Sequence, residues 1–164
     1  GCTTIEDAST PAAANDAAQI YAAAIRQIYT VDHSFGESSP SWPLVYVVTT
    51  TDDSARIDTP QAPPQTLPAD LQEGIAAEVS DLPFELIWVD SAFDAPIDPA
   101  NGSVADGNGI IISLGNIHPQ DDGSVHLPFV MTCGGLCGIG KTYVLNQVEG
   151  AWQVTGSVGP EIMS

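Results

Sequence analysis

Near the N terminus, the hydrophobic positions recur at the spacing of a helix. From Pro11 to Thr30 the apolar residues stand three or four positions apart, as they do on one face of an amphipathic helix. A second run with this spacing extends from Pro68 to Leu82, and Pro83 ends it. The pattern therefore predicts two helices, each with one buried face. The residues that define these faces are Ala17, Ile20, Tyr21, Ala24, Ile28 and Tyr29 in the first helix and Leu71, Ile75, Val79 and Leu82 in the second.

The remaining apolar stretches have the composition of β-strands. β-Branched and aromatic residues cluster in short runs, and residues typical of turns lie between these runs. The last two runs flank Glu149-Gly150 and predict a closing hairpin. Consecutive strands with short connections favour antiparallel pairing. We therefore expect a single α+β domain over residues 11–164, with an antiparallel, curved β-sheet of about five to six strands packed on two helices. The runs are 44–51, 84–90, 109–114, 125–133, 142–148 and 151–158.

Basic side chains are almost missing from this chain. It has 21 Asp and Glu residues and only three Lys and Arg residues, which gives a formal net charge of −18. Binding to nucleic acid or to an anionic membrane surface needs clustered cations, so this composition argues against both. The same negative field opposes the phosphates of a nucleotide. We expect no nucleic-acid partner and no cofactor.

One stretch matches a phosphate-binding motif in its letters. The residues from Gly135 to Thr142 follow the pattern G-x-x-x-x-G-K-T, with Gly140 and Lys141 at its second glycine and its lysine. A true phosphate loop leads into a helix, whose N-terminal amides bind the phosphate. The residues after Thr142 have the composition of a strand instead. We interpret the match as accidental and expect no nucleotide site.

The first residues resemble the start of a mature bacterial lipoprotein. Gly1-Cys2 is followed by small and polar residues. In such lipoproteins the cysteine carries the lipid and a flexible tether follows it. The resemblance implies lipidation of Cys2, a flexible tether over residues 1–10, and membrane association through that lipid alone. It also implies an extracytoplasmic location, in the periplasm or cell envelope or secreted. An incidental cysteine is the alternative.

The other two cysteines, Cys133 and Cys137, stand four positions apart. The two glycines between them allow a turn that brings the Cα atoms within about 5.5 Å, the separation that a disulfide needs. We predict a structural disulfide, with free buried thiols or a redox or metal-binding pair as alternatives. His118 and His126 would complete a metal set, but the spacing matches no zinc motif, and we predict no metal site.

The sequence offers one weak candidate for a catalytic residue. It contains no G-x-S-x-G motif of a serine hydrolase. In the run 84–90, the two-residue period places Asp90 on the same strand face as Phe84 and Trp88. Its carboxylate could lie at the rim of an apolar pocket and act as a general base. A solvent-exposed aspartate at a strand end is the alternative.

The C-terminal segment resembles that of uncharacterised secreted or lipid-anchored bacterial proteins. In those proteins, as in this chain, a C-G-G-L-C-G-x-G-x-T-Y-V-L stretch leads to a turn of an acidic residue and glycine, and then to a W-x-V strand. The hairpin is also similar to those of NTF2-like and cystatin-like domains. This is an analogy of fold alone and assigns no catalytic residue to this chain. We expect an exported, lipid-anchored, non-enzymatic domain that binds a small ligand or an envelope protein. An NTF2-like enzyme with Asp90 as general base is the alternative.

Overall fold

In the described part of the chain, two α-helices pack on one face of a seven-stranded sheet. The computed structural model describes residues 4–32, 42–57, 59–135 and 137–163, with the backbone alone for 4–15 and 163. The predicted α+β class and the two helices are confirmed. The helices are α1 (Thr4–Thr30) and α2 (Ala69–Glu78), and the strands are β1 (Leu44–Val48), β2 (Glu85–Val89), β3 (Gly109–Leu114), β4 (His118–Pro119), β5 (Val125–Gly134), β6 (Cys137–Val148) and β7 (Ala151–Met163).

The sheet is mixed, so the prediction of an antiparallel sheet of five to six strands is wrong. Its strands follow the order β2-β1-β3-β5-β6-β7, and the two-residue β4 pairs with β5. β1 is parallel to both β2 and β3, while the pairs from β3 to β7 are antiparallel. The parallel pair β1–β2 arises because α2 carries the chain back to the starting edge of the sheet before β2 begins.

Several elements extend beyond their predicted bounds. α1 begins at Thr4 rather than Pro11, so the backbone of residues 4–10 is helical where a flexible segment was predicted. The alanines at positions 12–14 favour this continuous helix because alanine has the highest helix propensity. That residues 1–10 act as a tether stays a prediction. β6 begins at Cys137, where it pairs with Gly134 of β5, so the hairpin is longer than predicted.

The main core lies between the sheet and the helices. Alternate side chains of β1, β3 and β5 point to the helical face, where Ile25 and Ile28 of α1 and Ile75 of α2 are fully buried. A smaller core lies on the opposite face, beneath the connection between β2 and β3. It consists of Tyr46, Val48, Ala95, Val104 and Ile111.

The three parallel strands end at the same edge of the sheet. β1 lies between β2 and β3, and the chain passes from β1 to β2 on one side before it crosses to β3 on the other. Where the connections of parallel strands diverge in this way, a crevice forms outside their carboxyl ends. The residues that follow β1 and β3 meet at this point, and they form the candidate site.

Candidate functional site

A buried carboxylate lies where the segments after β1 and β3 meet. Asp53 follows β1, and its side chain is 1% exposed. Its Oδ1 accepts a hydrogen bond from the backbone N–H of Asn116 at 2.8 Å, and its Oδ2 accepts one from the backbone N–H of Ala62 at 2.7 Å. Oδ2 also lies 2.8 Å from Nε2 of His118. One carboxylate therefore joins three segments of the chain.

Asp53 is held in its ionised form. Burial by itself would raise the pKa of this carboxyl group, because it removes the charge from water. The hydrogen bonds from Asn116, Ala62 and His118 outweigh that effect and lower the pKa below the ordinary value for aspartate. A negative charge therefore faces the imidazole of His118 at neutral pH.

Polar side chains around the carboxylate bond to one another. Thr51 Oγ1 donates to Oδ1 of Asn116 at 2.9 Å and accepts from the backbone N–H of Gln65 at 2.8 Å. The amide of Asn116 donates to the carbonyl oxygen of Pro63 at 3.3 Å. These bonds fix the loop after β1 against the segment after β3, so the position of Asp53 is set from both sides.

The first helix contributes a tyrosine to the same cluster. Tyr21 is 4% exposed, and its hydroxyl donates to the carbonyl oxygen of Gly115 at 2.9 Å. Burial, and after it the negative charge of Asp53, raises the pKa of this hydroxyl. Tyr21 is therefore neutral and serves as a hydrogen-bond donor.

A cavity of about 310 Å³ opens beside this cluster. Among the described residues its wall includes no Asp, Glu, Lys or Arg side chain. The amide of Gln65, the hydroxyl of Thr66 and Nδ1 of His118 form no hydrogen bond within the described part of the chain. These three groups are available to a bound molecule. The aliphatic part of the wall consists of Leu67, Leu71 and Ile117.

A second groove, of about 410 Å³, lies between α1 and β7. Arg26 lines this groove, and its guanidinium group donates hydrogen bonds to both carboxylate oxygens of Asp81, at 2.8 and 2.9 Å. Trp152 Nε1 is buried there and has no hydrogen-bond partner within the described part of the chain. The groove is larger than the cavity, but its described wall holds no carboxylate–imidazole pair like Asp53 and His118, so we take the cavity as the candidate site.

Asp90, the residue proposed from the sequence as a general base, lies at the end of β2. It is exposed, and its Oδ1 accepts a hydrogen bond from the hydroxyl of Thr49 at 3.1 Å. This environment matches the alternative of an exposed aspartate at a strand end. The catalytic role of Asp90 stays a prediction, and Asp90 is not among the residues that line the cavity, whereas His118 is.

The residues of the phosphate-loop pattern lie in a β-hairpin. Gly135 is in the turn before β6, and Lys141 and Thr142 lie inside β6, so the predicted strand after Thr142 is confirmed. Lys141 Nζ is 3.5 Å from Oδ1 of Asp32 and 3.4 Å from Oε2 of Glu161. Lys141 thus forms ion pairs with two carboxylates. The absence of a nucleotide site stays a prediction.

Cys133 and Cys137 form a disulfide with their Cα atoms 5.1 Å apart, as predicted. His118 and His126 are opposite one another in the β4–β5 pair. Within the described ranges, no group of three or more His, Cys, Asp and Glu side chains is arranged to hold a metal ion. Cys2, the predicted lipidation site, lies outside the described residues.

Sequence reasoning did not identify Asp53, and it considered His118 only as a member of a metal set. Both follow predicted strands directly or closely: Asp53 comes after the run 44–51 and His118 after the run 109–114. The carboxyl ends of parallel strands meet at one edge. Parallel pairing of these two strands would therefore have placed the two residues together.

No protein-family model, curated protein or solved structure matches this chain. In the part of the chain that the structure describes, no helix is long and apolar enough to cross a membrane.

Proposed function

We propose that this protein is a small-molecule-binding domain whose site is the cavity at the carboxyl ends of β1 and β3. One observation carries this proposal: unpaired polar groups of Gln65, Thr66 and His118 line a cavity that is backed by the buried charge of Asp53. A concave site with aliphatic walls and a few convergent polar groups is the usual form of a ligand site.

The composition of the wall defines the class of ligand. The described wall carries no Asp, Glu, Lys or Arg side chain. The net charge of −18 opposes the approach of anions. The aliphatic side chains of Leu67, Leu71 and Ile117 suit a hydrocarbon portion. We therefore expect a small neutral or cationic molecule with hydroxyl, amide or carbonyl groups on one side and an apolar part on the other.

Binding in the cavity is tested by two-dimensional ¹H–¹⁵N NMR with a panel of amino acids, monosaccharides, nucleobases, short amides and polyamines. We expect at least one member to shift the amide signals of Thr66, Ile117 and His118. Ala17→Phe should abolish these shifts, because Ala17 is on the cavity wall and a phenyl group would fill the space.

The matched control is Ala23→Phe on the same helix, where the new ring would enter the second groove instead. This variant should leave the shifts unchanged. A panel in which nothing binds, or a ligand that Ala23→Phe displaces and Ala17→Phe does not, would contradict the proposed site.

We also propose that the domain is exported and held at the bacterial cell envelope by a lipid on Cys2. The small, polar residues after Cys2 support this, as does the Cys133–Cys137 disulfide, because such bonds persist mainly in oxidising compartments. We expect the expressed precursor to fractionate with membranes and Cys2→Ser to release it, while Thr3→Ser leaves it bound. A precursor that stays in the cytosol would overturn this proposal.

A further inference from the structure

We infer that the Asp53–His118 pair makes the cavity a hydrolytic site for small neutral esters, with His118 as the general base. This inference rests on the proposed function, since it requires that a small molecule enters the cavity. It adds an activity to that binding role, and it assigns two residues to different tasks. His118 meets the reacting water, and Asp53 is a positioning residue that acts through His118.

The carboxylate determines which nitrogen of His118 carries the proton. An ionised carboxylate can only accept hydrogen bonds, so the 2.8 Å contact with Asp53 Oδ2 requires a proton on Nε2. In the neutral ring, Nδ1 then has the free lone pair. Nδ1 forms no hydrogen bond within the described residues, and His118 is one of the residues that line the cavity, with 17% of its side chain exposed. It is therefore the nitrogen that can accept a proton from a molecule in the cavity.

The pair is held rigidly before any ligand arrives. The backbone N–H groups of Asn116 and Ala62 fix the two oxygens of Asp53. His118 belongs to β4, whose pairing with His126 and Val125 of β5 fixes its backbone. Groups that are already in position require little reorganisation during a reaction, and this lowers its barrier.

The reaction needs only the ester and water. Nδ1 of His118 takes a proton from a water molecule as the water oxygen bonds to the carbonyl carbon of the ester. The bond from that carbon to the alcohol oxygen then breaks, and the imidazolium returns the proton to the departing oxygen. The products are a carboxylic acid and an alcohol, and Asp53 stays ionised throughout. The unpaired amide of Gln65 and hydroxyl of Thr66 are the donors available to the negative oxygen of the intermediate.

The test uses p-nitrophenyl acetate as the ester and follows the release of p-nitrophenolate. His118→Gln should lower kcat/KM by about tenfold, less than the ~100-fold or more that a general base contributes with a natural substrate. The control is His126→Gln, which removes the imidazole opposite His118 and should leave the rate within about twofold of the wild type. Asp53→Asn should lower kcat with little change in KM, and circular dichroism checks that this variant is folded. The solvent isotope effect that the wild type shows on the rate should disappear in His118→Gln.

Three results would overturn the inference. In the first, the wild type hydrolyses the ester no faster than His118→Gln. In the second, His126→Gln loses as much activity as His118→Gln. In the third, mass spectrometry finds an acetyl group on His118, which would make this residue a nucleophile. If ligands from the NMR panel still bind in the cavity in any of these cases, the proposed binding function stands and the hydrolytic inference alone fails. If Ala17→Phe alters neither binding nor hydrolysis, both fail.

Discussion

Replacing Asp53 by alanine is expected to destabilise the fold by about 3–5 kcal/mol. The change leaves the buried backbone N–H of Asn116, the partly buried backbone N–H of Ala62 and the partly buried Nε2–H of His118 without their acceptor. An unsatisfied buried donor retains its full desolvation cost, so removing one carboxylate affects three groups at once. Chemical denaturation of the wild type and the variant at pH 7 measures the difference in the free energy of unfolding.

The neighbouring residue provides the control. Asp52 accepts one hydrogen bond, from the backbone N–H of Ser54 at 2.8 Å, in an exposed turn. Its replacement by alanine should cost about 1 kcal/mol at most, because water can take over that bond. If Asp53→Ala were no more damaging than Asp52→Ala, the carboxylate would not hold the loops together as described.

The same carboxylate makes stability depend on pH. Because the folded-state pKa of Asp53 is lowered, its stabilising contribution is complete above the unfolded value of about 3.9 and is lost as the pH falls through the folded pKa. Asp53→Asn removes the charge at every pH. The difference in unfolding free energy between the wild type and Asp53→Asn should therefore be largest at neutral pH and shrink on acidification below about pH 4. A difference that grows on acidification would contradict this assignment.

The elements of this fold could be predicted from the sequence, but the partners of the strands could not. Hydrophobic period and residue type are local properties, whereas the direction of pairing depends on contacts between distant segments. The residues of β1, Leu44 to Val48, are apolar without alternation, and four of the five are buried. A strand covered on both faces in this way is typical of the centre of a parallel region. The helix predicted between the runs 44–51 and 84–90 points to the same arrangement.

The candidate site was harder to predict for the same reason. Asp53 and His118 are 65 positions apart, and only the parallel pairing of β1 and β3 brings the segments that follow those strands together. Asp90 also follows a parallel strand, which explains why local reasoning selected it. β2 is an edge strand, however, and its end faces solvent. The position of a strand within the sheet, rather than its sequence, thus decides which terminal aspartate becomes buried.

Gly115→Ala is expected to cost about 1–3 kcal/mol of unfolding free energy, the usual range for overpacking a buried position. A Cβ at this position would lie 2.7 Å from the carbonyl oxygen of Pro128 and 2.8 Å from Oδ1 of Asp53. The carbonyl oxygen of Pro128 belongs to the backbone and already accepts a hydrogen bond from the N–H of Gly115 at 2.7 Å. It cannot move away from the new Cβ without breaking that bond. Thermal and chemical denaturation measure the effect.

Gly156→Ala in β7 is the matched control, because a Cβ there meets no atom within 4 Å. Its cost should be below about 0.5 kcal/mol, since the loss of chain entropy in the unfolded state acts in the stabilising direction. The two variants add the same methyl group, at a closely packed position in one case and at an open position in the other. Gly115→Ala should also displace Asp53 and weaken ligand binding in the cavity, whereas Gly156→Ala should not. Equal stabilities for the two variants would mean that the segments after β1 and β3 are not packed as closely as the site requires.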